Sequence, residues 1–200
     1  MKKNRSQLDV KNLTLLALMT ALVVVFQLMA TFIPLGFNVG ALCLVPIVIG
    51  AALLGPWAGA WLGFVFGVVI IATGSASAFY VMGVIETVLV VLLKGTLAGL
   101  ASGLLYRLLA KKNSLLAIIV AAIACPVVNT AIFTLACFTI FFPGISEWAA
   151  GEGKDIISYV FLFLIGANFF VEVAISAVLS PVAHRLVAIG TKMRHDKSYI

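Results

Sequence analysis

Three ionisable side chains stand inside long apolar stretches of this chain: Glu86 and Lys94, eight residues apart, and Glu172. Two asparagines have similar surroundings, Asn129 and Asn168, the latter four residues before Glu172. Charged groups are costly inside a bilayer, and those that are kept face a bundle interior or a wet cavity. On a helix, Glu86 and Lys94 share one face about 12 Å apart, and Asn168 and Glu172 form an i, i+4 pair. The chemistry open to such a set is recognition. An ammonium suits an anion or hydroxyl group, and amides suit amide or hydroxyl partners. Two plainer roles compete: Lys94 and Glu172 as a neutralising ion pair, and the asparagines as interhelical glue. Catalysis by Glu86 or Glu172 as general base on a lipid-embedded substrate needs a second group within hydrogen-bond reach, and the sequence offers no obvious one.

Other chemistries are excluded by pattern. There is no HExxH, no GxSxG and no GxxxxGK[ST] run, so the chain itself has no recognisable route to ATP hydrolysis and is not expected to be an enzyme. His184 and His195 have no metal-ligand spacing, and no metal is expected. Cys43, Cys125 and Cys137 are odd in number and lie in apolar segments, which reads as buried thiols rather than a disulfide framework. The net charge of +6 comes from short basic clusters between or beyond the apolar runs. Such clusters set membrane topology, and no basic groove with interleaved aromatics suggests nucleic acid.

The elements that must position these groups are membrane helices. The 200 residues are 64% hydrophobic and 10% charged, with mean hydropathy +1.23. About 20 helical residues cross a hydrocarbon core, and six spans are predicted: 11–33, 39–54, 57–72, 79–109, 114–142 and 156–189. The first is too long for a signal-peptide core and is expected to be retained. The fold class expected is thus an all-α integral membrane protein, one domain over 1–200, with six transmembrane helices in one compact bundle. Both termini are expected to be cytoplasmic, because 11 of the 13 basic residues then face inside. Gly55, Gly59, Gly63 and Gly67 recur every four residues, and Gly95, Gly99 and Gly103 repeat the device. Such stripes let helix backbones approach closely in lipid.

At about 1.5 Å per residue, Lys94, Asn129 and Asn168 fall at similar depth, with Glu86 nearer the outer surface. Spans four, five and six are expected to line a pocket opening outward, with Glu172 orienting Lys94 or Asn168. The outer loops 35–40 and 73–80 would cover it, through Asn38 and Tyr80. A break in span two at Pro46 would turn backbone donors towards it.

The stretch Val45-Pro46 through Gly50 to Leu54-Gly55-Pro56, then Ala58-Gly59-Ala60 and Gly63 to Gly67, resembles the S-component of energy-coupling-factor vitamin transporters, their substrate-binding membrane subunit. Lys94-Gly95 through Tyr106-Arg107, Val128-Asn129-Thr130 and Asn168, Glu172 and Pro181 extend the resemblance over nearly the whole chain. Ala17 and Ala21 match the AxxxA contact that such subunits present to their membrane coupling protein. The resemblance implies a vitamin pocket near the outer face, a coupling protein and two ATPase subunits as partners, ATP used by those subunits with no cofactor in this chain, and a bacterial plasma membrane. The span two–three signature is most similar to pantothenate-type members, with riboflavin, folate or a similar vitamin as alternatives. An intramembrane enzyme and a stand-alone carrier are the readings from other classes. The carrier wants the paired repeats common in secondary transporters, and none is apparent.

Overall fold

The structure, a computed structural model, describes residues 3–32 and 41–195. Its elements in chain order are α1 (Lys3–Phe32), α2 (Ala41–Leu54), α3 (Pro56–Ala72), a 3₁₀ helix (Ser77–Met82), α4 (Val84–Leu109), α5 (Ser114–Thr139), α6 (Phe142–Gly151), the single turn α7 (Ile156–Ser158), a π-helical segment (Tyr159–Ile165) and α8 (Gly166–His195). Every one of these elements is helical. Four helical stretches are long and apolar enough to cross a membrane: Val10–Phe32, Val84–Leu109, Ser114–Thr139 and Asn168–Lys192. Leu42–Leu54, Pro56–Ala72 and Ile156–Ile165 are apolar but shorter.

The short helix α2 is the centre of the bundle. It packs against α1, α3, α4, α5 and α8, and Cys43, Leu44, Ile47, Val48, Ile49, Ala51 and Leu53 are all buried. A helix apolar all round belongs in an interior. The periphery is inverted relative to a water-soluble protein, with Leu13, Leu18 and Val25 of α1, Trp57 and Trp61 of α3, Leu89, Leu93 and Leu97 of α4 and Val178 of α8 exposed. An apolar belt of this extent marks a lipid-facing surface.

The two glycine stripes are the two halves of one seam. A Cβ added at Gly63 would meet the carbonyl of Gly95, and one at Gly95 that of Gly63; Gly59 and Gly99 stand in the same reciprocal relation. At the ends of the seam an added Cβ would lie 2.9 Å from the Val91 carbonyl oxygen at Gly67 and 2.6 Å from the Pro56 Cα at Gly103. Without side chains between them, α3 and α4 touch backbone to backbone, which is how helices gain dispersion energy where lipid removes the hydrophobic drive. Gly55 stands apart from the stripe. It caps α3 with φ 102, a left-handed conformation that favours glycine.

Several predicted boundaries are corrected. Pro46 does not break α2, which runs continuously through it; neighbouring helices enclose the kink site and make it tolerable. Span four does not start at Phe79, because the 3₁₀ helix intervenes and Gly83, at φ 140, turns the chain into α4. Span five stops at Thr139, and a new helix, α6, takes Pro143 in its first turn. That helix occupies much of the expected loop, where Pro suits the first turn because its missing N–H would be unpaired there anyway. Span six is interrupted at Gly166 (φ 21, ψ −131), where the π-helical segment ends and α8 begins.

Candidate functional site

A cavity of about 360 Å³ opens between α1, α3, α4, α5 and α8, within the usual range for a small-molecule site. Four of the predicted residues line it: Lys94 from α4, Asn129 from α5, and Asn168 and Glu172 from α8. Phe66, Phe79, Phe133, Phe141 and Phe169 supply apolar walls. The lining is as polar as it is apolar, more polar than the ordinary small-molecule site.

Asn168 and Glu172 meet as their spacing requires, the Asn168 amide donating to Glu172 Oε1 at 3.1 Å. Glu172 Oε2 and Asn129 Oδ1 are buried and have no hydrogen-bond partner, while their residues are only 8% and 7% exposed. Buried polar atoms are nearly always paired, and these two, with almost no accessible surface, are exceptions within the bundle. Lys94 makes no ion pair with Glu172 among the described residues; its Nζ lies over the Phe133 ring, 5.2 Å from the centroid. That contact gives the ammonium a partial partner of about 0.5–2 kcal/mol and leaves its hydrogens for an acceptor.

The mouth is held by short-range polar contacts. Ser75 is exposed, and its hydroxyl lies 3.2 Å from that of Thr31 on α1 and 2.9 Å from that of Thr73. The Thr87 hydroxyl donates towards the carbonyls of Phe79 (3.0 Å) and Gly83 (2.7 Å), pinning the 3₁₀ helix to α4. Phe79 in turn touches Phe133, Phe141 and, on α6, Trp148, with centroids 5.4, 5.6 and 5.7 Å away. Beyond α6, the Ser158 amide donates to Asp155 Oδ2 at 2.9 Å. That bond holds the Asp155 carboxyl below the ordinary carboxylate range.

The remaining predicted residues lie elsewhere. Tyr80 is half-buried on the 3₁₀ helix against the main core, and Glu86 is exposed in the first turn of α4; neither is in the cavity lining. Asn38 is outside the described residues. Ala17 and Ala21 are exposed on one face of α1. Sequence reasoning missed Gln27, Thr31 and Thr87 and all five phenylalanines of the lining. Gln27 carried a usable signal, being a lone amide within the apolar run of span one; a phenylalanine among apolar residues carries none.

No group of three or more His, Cys, Asp or Glu side chains able to hold a metal occurs among the described residues. A family model described as "ECF transporter, substrate-specific component" matches residues 11–183. Neither the curated proteins nor the solved structures yield a match to this chain.

Proposed function

The chain belongs to the family of ECF-transporter substrate-specific components, and on that premise we propose that it captures a small water-soluble vitamin, pantothenate first, in the cavity lined by Lys94, Asn129, Asn168 and Glu172. The family is a transporter family rather than an enzyme family, so the site has to bind and release rather than transform its occupant. One observation carries the reading: a cavity of about 360 Å³, walled by phenylalanines, is lined by an ammonium, a carboxylate and two side-chain amides brought together from three helices.

In this reading α1, α2, α3, α4, α5 and the pair formed by the π-helical segment and α8 make six crossings, with both termini cytoplasmic. The basic clusters support that orientation. The cavity then faces outward under the 3₁₀ helix and α6. Exposed Ala17 and Ala21 offer the small-residue face that a membrane coupling protein would pack against. Two ATPase subunits supply the energy for uptake across a bacterial plasma membrane, and this chain holds no cofactor.

The test is chemical identification of what the subunit retains. Mass spectrometry of small molecules released from the denatured, detergent-purified chain is expected to recover pantothenate at near-stoichiometric amount. Recovery of another vitamin keeps the capture role and changes the substrate. An empty protein that no vitamin stabilises in a thermal-shift panel overturns the role.

A further inference from the structure

The end of the bundle remote from Ser75 carries charge that the cavity does not use. Gly103 of α4 stands against Pro56, the first residue of α3, beside exposed Trp57. Interfacial tryptophans mark the headgroup zone of a bilayer. Exposed Arg107 lies four residues further along α4, about 6 Å past that level. From there the chain turns through exposed Lys111, Lys112 and Asn113 into α5. The Ser114 hydroxyl and His184 Nε2, 2.9 Å apart, fasten the start of α5 to α8 and bring exposed Arg185 beside the turn.

Two guanidiniums and two ammoniums thus gather at one corner, and none has a carboxylate partner among the described residues. No Asp or Glu occurs in 87–146 or 173–195, so α5, nearly all of α4 and α8 past Glu172 supply none. Asn113 adds a donor, because its side-chain oxygen is taken by the Leu115 and Leu116 N–H groups and its amide nitrogen is left over. Such a set of donors suits an anion with several oxygens, best a phosphate. Orientation in a membrane asks only for positive charge beyond a span; it does not ask that cations of three elements be fastened side by side. Towards the middle of the bundle the same corner is apolar, with Leu108, Leu116 and Leu186 exposed. A free phosphate makes no use of that surface, whereas acyl chains do. We propose that this corner is a binding site for an anionic phospholipid, with the phosphodiester among Arg107, Lys111, Lys112 and Arg185 and the acyl chains along the exposed leucines. Basic pockets between membrane helices hold anionic headgroups by this chemistry. The site is separate from the vitamin cavity and does not depend on what that cavity holds.

The test is native mass spectrometry of the detergent-purified full chain, titrated with phosphatidylglycerol or with phosphatidylcholine of the same acyl chains. The wild type is expected to bind phosphatidylglycerol at least about tenfold more tightly. Lys111→Gln combined with Lys112→Gln, and separately Arg185→Gln, are each expected to cut that preference about threefold or more, because every cation near an anionic headgroup strengthens its binding severalfold. Lys154→Gln, at the opposite end of the bundle, is expected to leave it unchanged. The wild-type preference is also expected to fall severalfold as ammonium acetate is raised from about 0.05 to about 0.5 M, an arm that needs no variant. Equal affinity for the two lipids, a preference that survives both sets of variants, an equal loss in Lys154→Gln or a salt-independent preference overturns the proposal. Displacement of the lipid by millimolar inorganic phosphate overturns it in favour of a free anion.

Discussion

Asn168 and Glu172 are joined across one turn of α8, the amide donating to Oε1 at 3.1 Å, while the second carboxylate oxygen is buried without a hydrogen-bond partner. The amide steadies the carboxylate. Asn168→Ala is expected to leave both oxygens unpaired, to lower stability by about 1–3 kcal/mol and to weaken vitamin retention. Thermal unfolding in detergent and a binding isotherm on the same preparation check both effects; unchanged values in each would remove Asn168 from the site.

Gly63→Ala and Gly95→Ala place a methyl group against the opposing backbone carbonyl, and helix backbones cannot rotate away as side chains do. Each is expected to destabilise by about 1–3 kcal/mol or more. Gly151→Ala, where an added Cβ meets nothing within 4 Å, is the neutral comparison. Equal melting temperatures for all three variants would mean that the seam contributes nothing.

Asp155 offers a pH-dependent contact outside the membrane. Its carboxylate is held below its usual value of 3.8 by the Ser158 amide. A depressed folded-state value means the contribution is fully present above the unfolded value and is lost as the pH falls through the folded one. The melting difference between wild type and Asp155→Ala is therefore expected to be constant near neutral pH and to shrink only below about 3.8. Asp155→Asn, which keeps a cap acceptor, is expected to recover part of the loss without the pH dependence. A difference that grows on acidification reverses the sign of the argument.

Phe79 links the cavity wall to α6 through its contact with Trp148. In a background lacking Trp57 and Trp61, Phe79→Ala is expected to shift Trp148 emission to the red and to loosen vitamin binding, since removal of a packed aromatic opens a void. Emission identical to the parent would separate α6 from the mouth.

Ala17→Leu with Ala21→Leu enlarges an exposed face and no buried one. Vitamin binding by the isolated subunit is expected to stay at wild-type level while ATP-driven uptake with its partners is lost. Normal uptake would move the coupling interface elsewhere on the bundle.

What the sequence made legible followed physical contrast. Lys94, Asn129, Asn168 and Glu172 stand out because polar groups in apolar runs are costly, and the structure gathers those four around one cavity. The glycine stripes were legible for the same reason, although the sequence did not say that they face each other. The breaks were hidden. Residues 77–84 and 159–166 are apolar whether they are straight α-helix, 3₁₀ or π, and each deviation turns on a single glycine, Gly83 or Gly166. Pro46 misled in the opposite sense, since a buried helix surrounded by five others retains its path through a proline. Tyr80 was expected to cover the pocket from the loop 73–80, and Glu86 to share the Lys94 face of span four; Tyr80 packs against the main core on the 3₁₀ helix, and Glu86 is exposed in the first turn of α4.

The seam between α3 and α4 has a metrological effect on the cavity. Lys94 directly precedes Gly95, and Phe66 directly precedes Gly67, so the two side chains ride on residues whose register is indexed by backbone contact. A slip of one residue would drive side chains into the facing main chain, so no intermediate setting is available. The level at which α4 presents the Lys94 backbone to Phe66 of α3 is therefore a ruled setting, graduated in glycines.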